Sequence, residues 1–453
     1  MSKPARLAVI NVVGLSRSLL GDASPRLNAF IGKNGGCGIY QPEFPAVTCT
    51  AQSAVTTGLP ADSHGIVGNG WYDRETVEVR FWKQSNAIVH GEKLWDKLRA
   101  AHPGFTCAKL FWWYNMHAAV DFSMTPRPLY PADGRKVFDI HTQPMDLREK
   151  IKSALGDFPF PTFWGPAAGI ASSQWIANAA RWIEVAHSPN LNLVYLPHLD
   201  YALQKDGPNA PNIPHEVAAI DAIVGELIDH LESHGVHVIV MSEYGISPVS
   251  KPVHLNRLFR KKGWLSIKDE LGLDTLDTGG SRAFAIADHQ VAHIYINDPA
   301  ITDAVRDLVA TTPGVAEIRQ PPTGIGGERA GDFIAVADPD SWFTYYFWSD
   351  DARAPDYART IDIHRKPGYD PCELFIDPTL RFPKFRIASF LLKKKLGVRS
   401  LLDVIPLDAT LVKGSHGRAD VPDDEKPVII GSTTPVKKAT DIHTAILAHF
   451  GVS

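Results

Sequence analysis

The sequence predicts an α/β fold, a mostly parallel sheet flanked by helices on both faces. Short, nearly continuous apolar runs rich in β-branched residues recur at Leu7 to Val13, Thr106 to Tyr114, Leu191 to Leu196 and Val236 to Met241. That is the pattern of strands buried on both faces. Helical stretches alternate with these runs, and strand–helix alternation gives a parallel sheet. Polar residues stand just past apolar runs at Asn11, Thr48, Asp200 and Glu243. In such sheets functional residues collect at the carboxyl ends of strands, so these four point to one site.

Composition narrows the class. Hydrophobic residues are 44% of the 453 and charged residues 21%, ordinary values for a globular chain. The length allows two or three domains, although large α/β enzymes reach it as one unit. The net charge of −4 gives no bulk attraction to nucleic acid, and no nucleic-acid polymer is expected as a partner. Cys37, Cys49, Cys107 and Cys372 are far apart and form no CxxC, which argues against a disulfide framework or a thiolate zinc site. Lys3 and Arg6 precede only a short, strand-like run from Leu7 to Leu15, so no signal peptide is read there. No apolar run approaches the ~18 residues of a membrane span. A cytoplasmic protein is the expectation.

In order, Leu7 to Val13 is a strand and Pro25 to Ile31 a helix. Val77 to Trp82 alternates like a strand, and Glu92 to Ala100 is a short amphipathic helix. Thr106 to Tyr114 is a strand whose end carries Trp112 and Trp113, either opening onto a pocket or packed as core. Ser123 to Lys136 is a proline-rich loop; its Arg127, Arg135 and Lys136 are either partners for an anionic substrate or solvated charges. Leu147 to Leu155 and Ser172 to Val185 have helical periodicity. Leu191 to Leu196 runs into His198, Asp200 and a loop, DYALQKDGP. The clearest helix is His215 to Gly235, with an apolar stripe at Val217, Ile220, Ile223, Val224 and Ile228 and a glycine stop. Val236 to Met241 leads into Ser242, Glu243, Tyr244 and Gly245. Beyond it come a basic helix from His254 to Lys262, a loop and strand within Ser281 to Asn297, strands at Asp332 to Ala337 and Trp342 to Trp348, and a helix from Thr440 to Phe450.

The stretch from Pro45 to Asp73 reads PAVTCTAQSAVTTGLPADSHGIVGNGWYD. It is read as a strand-to-helix turn with a hydroxyl at the helix start, where free backbone N–H groups favour an anion such as phosphate. Thr48 is then either the helix N-cap or a nucleophile. The segment TGLPADSHGIVGNGWYD resembles the TGL-x-P-x-SHGI-x-x-N-x-x-YD motif of nucleotide pyrophosphatases/phosphodiesterases in the alkaline phosphatase superfamily, with the proline one place early at Pro60. The pattern around Asp200 is also similar to that of phosphonoacetate hydrolase. The resemblance implies an alkaline-phosphatase-like core forming a single domain over 1–453, with an inserted elaboration or cap at about 330–412. It implies that Thr48, nine residues before Thr57, attacks phosphorus and that Asn69 holds a phosphate oxygen.

The family's two metal clusters map onto Asp200, Gln204 and His416 in one, and Asn11, Thr48, Glu243 and Tyr244 in the other. Gln204 stands for a His, Asn11 for an Asp, and Glu243-Tyr244 for an Asp-His pair. A divalent metal, one or two ions, is the implied cofactor. The oxygen-rich set suits Mg²⁺, Mn²⁺ or Ca²⁺, whereas the resemblance favours Zn²⁺. So little ligand charge favours a single ion, or none until substrate arrives. DIHRKPGYDP (362–371) has no place in the family motifs; its His364 and Arg365, with Trp113, are candidate substrate contacts, and a plain surface loop is the other reading.

The implied function is metal-dependent hydrolysis of a phosphodiester or pyrophosphate bond in a nucleotide or other small phosphorylated metabolite. The alternatives are a catalytically altered binding protein, or an enzyme that cleaves phosphonate or sulfate esters or transfers to an acceptor other than water. Finally, Arg381 to Arg399 holds seven Lys or Arg and no Asp or Glu, interleaved with Phe, Ile and Leu. It reads either as a helix packed on the core or as a peripheral contact with a membrane.

Overall fold

A computed structural model describes residues 5–452. Twelve strands build its two main sheets: β1 (Leu7–Val12), β2 (Cys37–Ile39), β3 (Cys107–Leu110), β4 (Phe122–Pro126), β5 (Ile140–Gln143), β6 (Leu191–Leu196), β7 (His237–Met241), β8 (Ala283–Asp288), β9 (Val291–Ile296), β10 (Val315–Arg319), β11 (Phe333–Ala337) and β12 (Val428–Ile430). The larger sheet has eight strands in the order β2-β12-β7-β1-β6-β3-β4-β5. Its five inner strands, β7, β1, β6, β3 and β4, run parallel. Antiparallel strands close both edges. Asn11 is level with Tyr195 on one side and Met241 on the other. The carboxyl ends of β1, β6 and β7 therefore stop together, and the residues that follow them meet.

Alternation along β1 shows how the sheet is covered. Ala8, Ile10 and Val12 face a core with α1 (Pro25–Lys33) and the later helices Ile170–His187 and Ile213–Ser233. Leu7 and Val9 face Ala54 and Val55 of α2 (Thr48–Thr57) and Ile442 and Ile446 of the helix Ala439–His449. In Ile213–Ser233 the expected stripe is buried, with Leu227 and Leu231 added. Each such side chain contributes ~1.5–3 kcal/mol. The second sheet, β8-β9-β11-β10, is antiparallel and packs with the aromatic run that includes Trp342, Phe343, Tyr345 and Trp348.

Some expected elements differ. The segment after β6 is not a loop: His198–Asp206 is a helix, α3, with Leu199 and Leu203 buried one turn apart. Ser281 to Asn297 holds two strands, β8 and β9, joined at Asp288 to Val291. β3 stops at Leu110, because Phe111 and Tyr114 take positive φ (63° and 50°), which no strand accommodates. The strand expected at Trp342 to Trp348 covers only Ser341–Phe343. Pro383–Lys395 is a helix, α4; none of its residues is fully buried, and of its apolar side chains Ile387 packs against the second core. No helix among the described residues is long and apolar enough to cross a membrane.

Candidate functional site

Thr48 is the first residue of α2, behind an extended Val47 that takes the cap position without a side-chain bond. Thr48 therefore does not cap. Its hydroxyl lies 3.0 Å from that of Tyr244, which arrives from the end of β7. The helix leaves cleanly because Gly58 closes it in the left-handed conformation (φ 72°). Gly70 is required for another reason: a Cβ there would stand 2.4 Å from the Phe81 ring. That close approach sets the turn before it, which presents Asn69. The Asn69 side-chain oxygen accepts the Cys49 N–H at 3.0 Å, tying Asn69 to the start of α2. Its Nδ2 donates to Asp288 at 3.1 Å and its backbone N–H to the same carboxylate at 2.7 Å.

The expected ligand positions do come together. Asp200 and Gln204 lie one turn apart on α3, and Gln204 Nε2 donates to Asp200 at 2.8 Å. The Tyr244 hydroxyl is 3.3 Å from the other Asp200 oxygen, and His416 Nε2 is 3.8 Å from it. His416 is delivered by Gly414–Ser415 pairing with Ser247–Pro248 just beyond Tyr244. Its Nδ1 donates to the Ala46 carbonyl at 2.7 Å, which leaves Nε2 bare. In the second group Asn11 Nδ2 donates to Glu243 at 2.5 Å, and Gln52 donates to the same carboxylate oxygen.

Burial dominates the electrostatics. It pushes Asp200 up to about 7, against the bonds from Tyr244 and Gln204. It pushes Glu243 up to about 8, opposed by Gln52, Asn11 and Thr48 and reinforced by the charge of Asp200. It lowers His416 and His289 well below the ordinary imidazole value. Asn11 Oδ1, Glu243 Oε2 and His416 Nε2 are buried with no hydrogen-bond partner. Buried bare acceptors are costly, and a cation or an added donor is what satisfies them. Among the described residues, however, no three His, Cys, Asp or Glu side chains group closely enough to hold a metal ion. A closed zinc centre does not fit this donor set. His416 Nε2 and Asp200, 3.8 Å apart, are two donors that suit a weakly held ion completed by other oxygens.

Four residues of the site escaped the sequence reading: Gln52, Asp288, His289 and Tyr369. Rings form a continuous column, with Tyr244 on His416 at 3.6 Å, His416 on His289 at 3.7 Å and His289 on Tyr369 at 3.5 Å between centroids. Asp288 Oδ1 holds His289 Nδ1 at 2.8 Å, and the Tyr369 hydroxyl donates to Gln204 at 2.9 Å. The signal for Asp288 was present, a carboxylate at the end of the apolar run AFAIA. Trp113 is in place: its backbone N–H donates to Gln52 at 2.6 Å, its indole packs on Trp82, and Trp82 reaches Tyr369. Its indole N–H is buried without a partner. His364 and Arg365 are not drawn in with these groups; both are exposed, and Arg365 pairs with Asp356.

The chain matches the family model for type I phosphodiesterase / nucleotide pyrophosphatase over residues 7–370. A Schizosaccharomyces pombe protein described as an uncharacterized pyrophosphatase/phosphodiesterase is 25% identical over 270 residues, 57% of this chain and 47% of that one. The chain thus spans about half the length of this relative, and 23% of the rat ectonucleotide pyrophosphatase/phosphodiesterase family member 1 that it also matches. Two solved structures share its fold. Murine ectonucleotide pyrophosphatase/phosphodiesterase 5, an inactive threonine-to-alanine variant in complex with AMP, superposes with a TM-score of 0.59 at 15% identity, covering 99% of this chain and 96% of that one. Phosphonoacetate hydrolase from Sinorhizobium meliloti 1021, in complex with phosphonoformate, gives 0.62 at 14% identity, covering 98% and 96%. The family model takes in most of the chain and every candidate residue except His416, and on that ground the chain belongs to the type I phosphodiesterase / nucleotide pyrophosphatase family.

Proposed function

We propose that this chain hydrolyses a phosphodiester, pyrophosphate or phosphonate bond in a small phosphorylated molecule, with Thr48 as the attacking group. The observation that carries this reading is the setting of the Thr48 hydroxyl. It lies at the first turn of α2, 3.0 Å from the hydroxyl of Tyr244, the residue that follows Glu243, and Asn69, anchored at both ends, is tied to the same turn through the Cys49 N–H. A threonine hydroxyl is a weak nucleophile without a base or a metal beside it. In this proposal the ionised form of Glu243, which its raised pKa of about 8 makes the main form only on the alkaline side, accepts the Thr48 proton on its free Oε2, while Asn11 and Gln52 hold Oε1 and fix the carboxyl. Tyr244 orients the hydroxyl from the other side. Asn69 has one amide N–H on Asp288 and its second free for a phosphate oxygen. Trp113 packs on Trp82 and Trp82 on Tyr369, whose hydroxyl bond to Gln204 ties the 330–412 stretch to the site. A divalent ion held by Asp200 and His416 would supply positive charge for the nonbridging oxygens. The threonine-to-alanine murine relative, inactive and in complex with AMP, supports both the role of the threonine and a nucleotide-sized substrate.

The test is turnover of bis-p-nitrophenyl phosphate, a dinucleoside polyphosphate and phosphonoacetate with Mg²⁺, Mn²⁺ or Zn²⁺. Hydrolysis of at least one, dependent on the ion, is expected. Binding of AMP by calorimetry with no turnover of any substrate would favour the binding-protein reading instead. His416→Ala is expected to raise the ion concentration needed for half-maximal rate by more than about tenfold, since a lost ligand costs at least what a lost supporting group does. An unchanged metal requirement would remove His416 from the ion site.

A further inference from the structure

Two distant segments form one apolar and basic face. Helix α4 exposes Phe385 (76%), Leu391, Leu392 and, just past its end, Leu396. Only Ile387 leans on the second core. Of the expected loop at 123–136, the first four residues belong to β4 and the rest is the connection at the tip of the β4–β5 hairpin. Leu129 and Val137 exchange backbone bonds of 2.8 and 2.9 Å across it, and it exposes Leu129, Tyr130 (60%), Val137 and Phe138. The two pieces touch: Lys394 Nζ stands 5.3 Å over the Phe138 ring, and Arg399 donates to the Asp133 carbonyl at 2.6 Å. Large apolar side chains left in water on two adjoining elements mark an interaction surface.

Charge selects the partner. Residues 381–399 carry seven cations and no anion, in a chain of net charge −4. The hairpin adds Arg127, Arg135 and Lys136. Two of these ten are neutralised on the face itself, Arg386 by Asp403 and Arg135 by Asp133. Of the others, Lys136, Arg381 and Lys394 stand over the rings of Tyr130, Phe382 and Phe138, and the mixture of cations with exposed aromatic and leucine side chains is the composition of segments that lie in the headgroup layer of anionic bilayers. A cleft of about 420 Å³ under α4, lined by Arg381, Phe385, Phe390 and Lys393, gives a headgroup room to enter.

We propose that the face formed by α4 and the 127–138 hairpin docks on an anionic lipid surface. The proposal concerns docking and stands apart from the hydrolytic reading. Flotation with vesicles of phosphatidylcholine, with and without 30% phosphatidylserine, tests it on the full chain. Binding is expected only with the anionic vesicles, falling at least tenfold when Lys393, Lys394 and Lys395 are replaced together by Glu. Phe385→Ser with Leu392→Ser should weaken binding while leaving turnover of a soluble substrate unchanged, since no residue of this face belongs to the site. No binding, equal binding to both vesicle types, or binding that survives the charge reversal would overturn the proposal. So would sedimentation showing that the face pairs two copies of the chain in the absence of lipid.

Discussion

Thr48→Ala is expected to lower turnover by at least roughly a thousandfold, which corresponds to about 4 kcal/mol of transition-state stabilisation. The structural cost of the change is far smaller. The side chain makes one hydrogen bond, the 3.0 Å contact with Tyr244, and loss of a buried hydrogen bond of this kind costs about 1 kcal/mol. α2 keeps its N-terminus, because Val47 rather than Thr48 occupies the cap position. The variant should therefore fold, as read by circular dichroism and thermal melting, and still bind a product nucleotide. Thr48→Ser keeps the hydroxyl but loses the methyl that restricts its rotamer, and should retain part of the rate. A Thr48→Ala protein with near-native turnover would take Thr48 out of the chemistry and leave Tyr244 and Glu243 to be explained as packing.

The placement of Thr48, Asp200 and Glu243 was legible because it rests on local rules. Apolar runs of strand length locate the sheet, and its register puts the first polar residues past β1, β6 and β7 at one edge. α3 was missed because its few apolar residues, Leu199 and Leu203, sit among polar ones and end at a DGP sequence that reads as a turn. The β8–β9 connection was missed for a sharper reason. It turns through His289 at φ 61°, where glycine or asparagine would be the usual signal. A residue held there against its preference is one more sign that the side chain is needed in that spot. Gln204 and Tyr369 are 165 positions apart, and no periodicity links them. The basic helix was visible in the sequence, but whether its apolar side chains meet a core depends on what the rest of the chain leaves uncovered.

The second large effect is expected at Lys366. This side chain is 1% exposed and contacts Asp370 and Glu373, each at 2.7 Å and each equally buried. Burial alone would lower the ammonium pKa; the two carboxylates more than offset that and hold it above its ordinary value of 10.5. Lys366→Met leaves two buried carboxylates facing each other without a cation, which costs about 3–5 kcal/mol. The same change reaches the site. Asp370 follows Tyr369, the donor to Gln204, and Glu373 accepts from the indole N–H of Trp164, whose ring packs 5.7 Å from that of Tyr369. Activity should therefore fall along with the denaturation midpoint. Adding Asp370→Asn and Glu373→Gln to Lys366→Met removes the stranded charges and should recover much of the lost stability, because the penalty lies in the unpaired ions rather than in the missing pair. The raised pKa also gives a pH signature. The contribution of Lys366 is complete below 10.5 and is lost as pH rises through its higher folded value, so the native chain, but not the triple variant, should weaken in that alkaline window. A Lys366→Met protein that melts with the native one would show that water reaches these carboxylates and that they need no partner.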